Sequence, residues 1–262
     1  VTKEIHEVYG EKGGILRTTK EYTYAPAYHK LVSEMKETTS DGSEIVTKYY
    51  YPHDYNSTSN AALQAMKDKN ILLPVDVRSY KSGRLTSGEQ TKYNAYGQPE
   101  IVYHAETTAA DIAFNKNTPF TFTAYLWRTY DANRLLVSEK TRENDLKYTY
   151  LWSYGNQYPV ARIEGAEYND VTGWLSSASV GLPNTLTRPS DIESRLTSIR
   201  NALASKDVLV TTYTYLPQVG MTEMTDANGK TTSYAYDTYR RLSLVKNHES
   251  KAVMQYKYNL YD

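Results

Sequence analysis

Residues 226–242 read DANGKTTSYAYDTYRRL, and two readings compete for them. A phosphate-binding loop needs Gly-x-x-x-x-Gly-Lys-Ser/Thr, so that consecutive backbone N–H groups converge on the anion. Gly229, Lys230 and Thr231 supply the second half, but Met224 holds the position of the first glycine. Asn228-Gly229 is instead the pair that most readily accepts two consecutive positive φ values in a type I′ hairpin turn. The spacing predicts a turn and then a strand. In that strand Tyr234 and Tyr236 stand two apart and project from one face.

The same spacing recurs at Tyr22 and Tyr24, Tyr49 and Tyr51, Tyr148 and Tyr150, Tyr213 and Tyr215, and Tyr256 and Tyr258. Tyr236 follows Tyr215 by 21 residues and Tyr258 follows Tyr236 by 22, the length of two short strands with their turns. Turn signals cut the chain at Gly10 to Gly14, Asp41-Gly42, Ser82-Gly83, Asp131 to Asn133, Glu143 to Asp145, Asn228-Gly229 and Asn247 to Ser250. Between them lie runs rich in tyrosine and β-branched residues, such as EIVTKYYY (44–51), DLKYTYLW (145–152), VLVTTYTY (208–215) and VMQYKYN (253–259). The expected fold is mainly β, an antiparallel hairpin meander with one or two short helices.

The stretch YTYLPQVGMTEMTDANGKTTSYAYDTYRRL (213–242) resembles the repeats of the RHS/YD-repeat proteins, large bacterial surface or secreted proteins, and YLWSYGNQYPVARIEGAEY (150–168) resembles a segment of such proteins from the Bacteroidetes. The family unit, Gly-x-x-Thr-x-Tyr-x-Tyr-Asp-x-x-Gly-Arg-Leu, is matched by Gly229, Thr232, Tyr234, Tyr236, Asp237, Arg241 and Leu242. Arg240 stands where the family has glycine, so that turn either changes geometry or holds a side chain at positive φ. The likeness is close over 209–262 and degenerate before it. It implies a curved sheet or partial β-shell, of the kind that surrounds a cargo or toxin domain. The partner would be the rest of a longer parent chain or that cargo, and the location extracellular or cell-surface. An Asp-Pro dipeptide of the kind that marks cargo release in the family is absent from this chain. A chain that opens on Val1 reads as a mature protein or as a fragment.

Composition narrows the remaining classes. Thirty Lys and Arg balance thirty Asp and Glu with no run of either sign, which gives no field to recruit nucleic acid or an anionic membrane. The absence of cysteine removes disulfides and thiolate chemistry. No stretch approaches eighteen apolar residues, so no membrane insertion is expected. With 27 tyrosines and only 3 phenylalanines, tyrosine must do much of the packing.

Two stretches read as helix. A short one near 59–69 has Ser59 as its cap, and a longer one at 189–207 has a capping box from Ser190 to Glu193. In the longer one Ile192, Leu196, Ile199 and Leu203 form a single stripe, expected to lie on the sheet rather than to dock a partner. The chain is thereby divided into degenerate hairpins at 1–170, a loop with the amphipathic helix at 171–208, and regular repeats at 209–262.

The five histidines are scattered without a metal-ligand spacing, and no nucleophile elbow, dinucleotide fingerprint or calcium loop is present. No catalytic, metal or cofactor residue is assigned, and the chain is expected not to be an enzyme. The leading expectation is a non-catalytic structural segment. The alternative is a glycan-binding or adhesion module, in which Trp127, Trp152, Tyr150 and Tyr154 stack on sugar rings. An enzyme would need carboxylates that converge only in space.

Overall fold

The computed structural model describes residues 2–10, 13–25, 29–56, 60–105, 114–117, 120–142 and 145–258. Among the described residues sixteen strands follow one another in chain order, and the strand pairs of each unit run antiparallel, so the architecture is mainly β as expected. The chain falls into two compact units, Val1–Trp127 and Arg128–Asp262, a division that no change of composition marks.

The first unit contains β1 (Lys3–Tyr9), β2 (Ile15–Tyr24), β3 (Val32–Thr38), β4 (Glu44–Tyr50), β5 (Asp76–Lys81), β6 (Arg84–Tyr93), β7 (Pro99–His104) and the first part of β8 (Thr123–Tyr130). Between β4 and β5 come a single 3-10 turn at Pro52–Asp54 and helix α1 (Ala61–Asp68). Asn60 caps α1, its Oδ1 accepting the N–H groups of Ala62 and Leu63 at 3.1 Å each. The expected cap, Ser59, lies outside the described residues. The helix buries Leu63 and Met66 against Tyr55, Val75 and Tyr93.

The second unit contains the rest of β8, then β9 (Leu136–Thr141), β10 (Lys147–Ser153), β11 (Tyr158–Glu164), β12 (Leu209–Leu216), β13 (Gly220–Thr225), β14 (Thr231–Tyr236), β15 (Leu242–Lys246) and β16 (Ala252–Gln255). Helices α2 (Tyr168–Ser177) and α3 (Pro189–Leu203) connect β11 to β12. The predicted stripe of α3 is buried, and it packs with Val171 and Leu175 of α2 on Leu151, Val160, Ile163 and Val210 of the sheet.

Three expectations are corrected here. The described residues hold three α-helices rather than one or two, and α2 takes up residues expected in hairpin and loop. Its Val171, Thr172 and Gly173 are poor helix formers, and burial of Val171 and Leu175 supplies what propensity does not. The capping box of α3 does not form, because Pro189 takes the first helical position and places Ser190 inside the helix. Strand β16 ends at Gln255, so Tyr256 and Tyr258 follow it, although the Tyr256 N–H still bonds the Ser243 carbonyl at 3.0 Å.

The turn at 226–230 is a hairpin turn, but not of type I′. Gly229 alone has positive φ, at 77°. The Asp226 carboxylate accepts the N–H groups of Asn228 and Lys230 at 2.9 and 2.8 Å, and its carbonyl accepts that of Gly229 at 3.0 Å. These bonds select a type I turn followed by one left-handed residue. The same pattern recurs at Asn94, Asp131, Asp237 and Asn247, with Gly97, Arg134, Arg240 and Ser250 left-handed. Consecutive positive φ values occur instead at Ser82 and Gly83, at 50° and 76°. Of the other turn signals, Glu11, Lys12, Glu143 and Asn144 lie outside the described residues.

Arg240 holds φ at 63°, so the family's glycine position keeps its geometry and carries a side chain. Gly229→Val is expected to destabilise by about 1 kcal/mol or more, and Arg240→Gly to stabilise by about 0.5–1 kcal/mol. A Cβ at Gly229 meets no atom within 4 Å, so its cost is conformational rather than steric. Thermal melts of the two variants should shift in opposite directions; a shift in the same direction would refute the turn assignment.

In eight strand pairs the later strand carries one extra residue. These are Ser33, Thr86, Glu100 and Tyr125 in the first unit and Val160, Thr222, Ser243 and Val253 in the second. Seven of the eight bulges follow an aromatic partner: Tyr24, Tyr80, Tyr93, Tyr103, Trp152, Tyr215 and Tyr236. The hydroxyls of Ser33, Thr86 and Ser243 donate to the carbonyls of Thr23, Ser79 and Ala235 at 3.2, 3.0 and 3.1 Å, so side chains replace ladder bonds lost at the bulge.

Candidate functional site

Carbonyls at strand ends need donors, three of them in the second unit beside bulges, and aromatic side chains provide them. In the second unit Trp152 Nε1 donates to the Leu136 carbonyl at 2.8 Å and the Tyr215 hydroxyl to that of Pro159 at 2.9 Å. The Tyr236 hydroxyl donates to Met221 at 2.8 Å and that of Tyr258 to Leu242 at 2.9 Å. Each donor lies in the last two residues of an even-numbered strand or beyond it, and each acceptor lies in the first two residues of the odd-numbered strand before it. The result is a ladder of aromatic rungs. In the first unit Tyr51 bonds Val32 and Tyr93 bonds Pro74 in the same manner, at 2.9 Å each. The 21- and 22-residue spacing of Tyr215, Tyr236 and Tyr258 is the spacing of these rungs. Burial pushes the Tyr215 hydroxyl up to about 12, so it stays protonated and donating at neutral pH.

The motif residues build one rung with its turn. Asp237 closes the β14–β15 turn, and its carboxyl is held below the usual carboxylate range, chiefly by the Arg241 backbone N–H. Arg241 pairs with the same carboxylate, Nη2 to Oδ2 at 2.7 Å and Nε to Oδ2 at 2.8 Å. Its guanidinium then lies 4.2 Å from the ring centroid of Tyr258, whose hydroxyl reaches the Leu242 carbonyl. Tyr-Asp and Arg-Leu are therefore one device: aspartate shapes the turn, arginine bridges it to the next rung, and the leucine carbonyl accepts that rung. Gly220 is required beneath the Tyr236 rung, since a Cβ there would collide with the hydroxyl. Tyr234 is half-buried beside it on β14.

Tyr236→Phe is expected to cost about 0.5–1.5 kcal/mol, because it strands the Met221 carbonyl while keeping the ring. Urea unfolding measures this. An unchanged midpoint would show that the rung contributes nothing.

The aromatic residues singled out for sugars are placed otherwise. Trp127, in the first unit, is half-buried on β8 opposite Ile101. Of the three in the second unit, Tyr150 is half-buried opposite Arg162, and Trp152 is half-buried with its N–H engaged in the ladder. Tyr154 is 4% exposed, its ring set edge-on to Tyr158 and Tyr215 and its hydroxyl accepting the Tyr215 N–H at 2.8 Å. A groove of about 430 Å³ beside Tyr154 is lined by Glu193, Thr214, Glu223, Tyr234 and Lys246. Among the described residues no group of three or more His, Asp or Glu is placed to hold a metal ion.

Sequence reasoning missed a buried polar cluster in the first unit. The Asp76 carboxylate accepts from Arg78 Nε at 2.9 and 3.1 Å, from Arg78 Nη2 at 2.8 Å, from Gln90 Nε2 at 2.8 Å and from the Tyr55 hydroxyl at 3.4 Å. Gln90 Oε1 in turn accepts the Phe122 N–H at 3.1 Å, and the Arg78 guanidinium lies 4.9 Å from the Phe122 ring centroid. Every polar group is answered, which marks a structural core rather than a reactive site. The only sequence signal is that Asp76 and Arg78, two apart in a strand, share a face.

No family model and no characterised protein matches the chain. Among solved structures, TcdB2-TccC3 without its hypervariable C-terminal region is 14% identical with a TM-score of 0.27, over 92% of this chain and 13% of that one. TcdB2-TccC3 is 13% identical with a TM-score of 0.25, over 96% and 16%. The Photorhabdus luminescens Tc holotoxin pore is 11% identical with a TM-score of 0.21, over 97% and 15%. The chain thus spans only 13% to 16% of the length of these proteins, and scores this low transfer neither shape nor role.

Proposed function

We propose that the chain is a non-catalytic structural segment of an RHS/YD-repeat scaffold, secreted or displayed at the cell surface, whose partners are neighbouring repeats and a cargo domain. The observation that carries this reading is the aromatic ladder, in which the family's Tyr-Asp and Arg-Leu positions are all consumed by holding one strand pair to the next. Residues spent on carbonyls and turns in every unit build a wall; they leave no conspicuous chemistry over. The glycan alternative loses support from Tyr154, which is turned into the core.

A wall of this kind is stabilised unit by unit through nearest-neighbour contacts. Hydrogen exchange tests it: amides of Ala252–Gln255, whose residues are all exposed, should exchange faster than those of Thr231–Tyr236, whose strand is paired on both sides. Uniform protection across both stretches in a monomer would indicate a single cooperative domain and remove the repeat-scaffold reading.

A further inference from the structure

Asn228 is the only asparagine of the chain that is followed by glycine, the residue whose backbone nitrogen is least shielded from the side chain before it. Asn228 is exposed, its side-chain amide has no hydrogen-bond partner among the described residues, and a Cβ at Gly229 would meet no atom within 4 Å. In such a pair the Gly229 nitrogen can attack Cγ of Asn228. The new N–Cγ bond closes a succinimide ring, the Cγ–Nδ2 bond breaks, and ammonia leaves with the proton that the Gly229 nitrogen gives up. Water then opens the ring. Addition at Cγ leaves an ordinary aspartate, whereas addition at the backbone carbonyl leaves an isoaspartate, whose main chain runs through Cβ and Cγ.

The turn opposes the first step. Asn228 is the third residue of a type I turn, where ψ is about 0°, and ring closure needs a rotation of about 120° around its Cα–C bond to bring the Gly229 nitrogen into line with Cβ. Hydrogen bonds on both sides of that bond resist the rotation. The Asp226 carbonyl holds the Gly229 N–H at 3.0 Å, and the Asp226 carboxylate holds the N–H groups of Asn228 and Lys230 at 2.9 and 2.8 Å. Arg200 of α3 donates to the same Asp226 carbonyl at 2.8 Å, which ties the turn to the helix. The turn at Asp131-Ala132-Asn133-Arg134 repeats the first three residues and their bonds, but there Asn133 Nδ2 donates to Asp131 Oδ2 at 3.4 Å and arginine follows in place of glycine.

We propose that Asn228 is a site of spontaneous deamidation to isoaspartate, and that the Asp226 carboxylate sets its rate by keeping the turn closed. The reaction then proceeds only through local opening of the β13–β14 hairpin. Isoaspartate lengthens the main chain by one methylene, which moves the Gly229 and Lys230 N–H groups out of register with Asp226 and loosens the hairpin. This modification stands independently of the scaffold reading.

The folded chain is aged in mildly alkaline buffer and its peptides are mapped by mass spectrometry, with isoaspartyl methyltransferase to count isoaspartate. Asn228 should be converted ahead of Asn133. Asp226→Ala should raise the Asn228 rate several-fold and leave that of Asn133 unchanged. Asp226→Asn should keep the slow rate, because Asn94 and Asn247 accept the equivalent pairs of N–H groups in their own turns. If Asp226→Ala fails to fold, urea applied to the unsubstituted chain serves instead, and unfolding should speed Asn228 more than Asn133. Conversion of Asn133 before Asn228, equal Asn228 rates with and without the Asp226 carboxylate or urea, or an Asp226→Asn variant as fast as Asp226→Ala would overturn the proposal.

Discussion

Asp76→Ala is expected to destabilise the first unit by about 3–5 kcal/mol, the range for breaking a buried ion pair by removing one partner. Asp76 and Arg78 are 0% and 1% exposed, and Gln90 is 1% exposed, so water cannot replace the lost carboxylate. The change leaves a guanidinium in the core without its main acceptor and removes a partner from both Gln90 and Tyr55. Burial raises the Tyr55 hydroxyl well above its ordinary value, so it remains a donor and cannot serve as a counter-charge. A buried pair is costly to break without being a large net source of stability. The double variant Asp76→Leu, Arg78→Met should therefore be more stable than Asp76→Ala alone. Urea denaturation of both variants decides this. A loss below about 1 kcal/mol for Asp76→Ala would show that the cluster is hydrated or rearranges.

Leu196→Ala should cost about 2–5 kcal/mol, as for other truncations in closely packed cores. Leu196 is 4% exposed and sits between Ile192 and Ile199, both fully buried, where α3 meets α2 and the sheet. The neighbours cannot collapse into the space freely, because Val160, Ile163 and Val210 belong to strands paired on both sides. Helix α3 is further fixed by Arg200, which donates to the carbonyls of Val210 and Asp226 at 2.7 and 2.8 Å. A stability change within about 0.5 kcal/mol would mean that the helix is a surface element free to dock elsewhere.

Local features were legible in the sequence. The strand runs, the α3 stripe and the sites of the turns depend on a few consecutive residues, whose φ preferences and side-chain periodicity act within one element. The turn type at 226–230 was not, because Asn228-Gly229 favours one geometry in isolation and the Asp226 carboxylate imposes another. The 21- and 22-residue tyrosine spacing was visible as a period but not as a ladder, since nothing in a spacing says which carbonyl a hydroxyl will reach. Tyr154 shows the same limit: its ring is as suited to a sugar as to a core, and only its neighbours Tyr158 and Tyr215 decide.

What the sequence by itself determined is an antiparallel hairpin meander, its period, and the Tyr-Asp and Arg-Leu positions that recur in it. Tertiary structure alone decided the bulges, the aromatic rungs that take up strand-end carbonyls, helix α2, and the burial of Asp76 with Arg78. Each of these joins residues far apart in the chain, as when Phe122 closes over Gln90 and Asp76, or β12 supplies the surface on which α3 packs. Their free energy comes from excluding water between elements that local propensity cannot bring together.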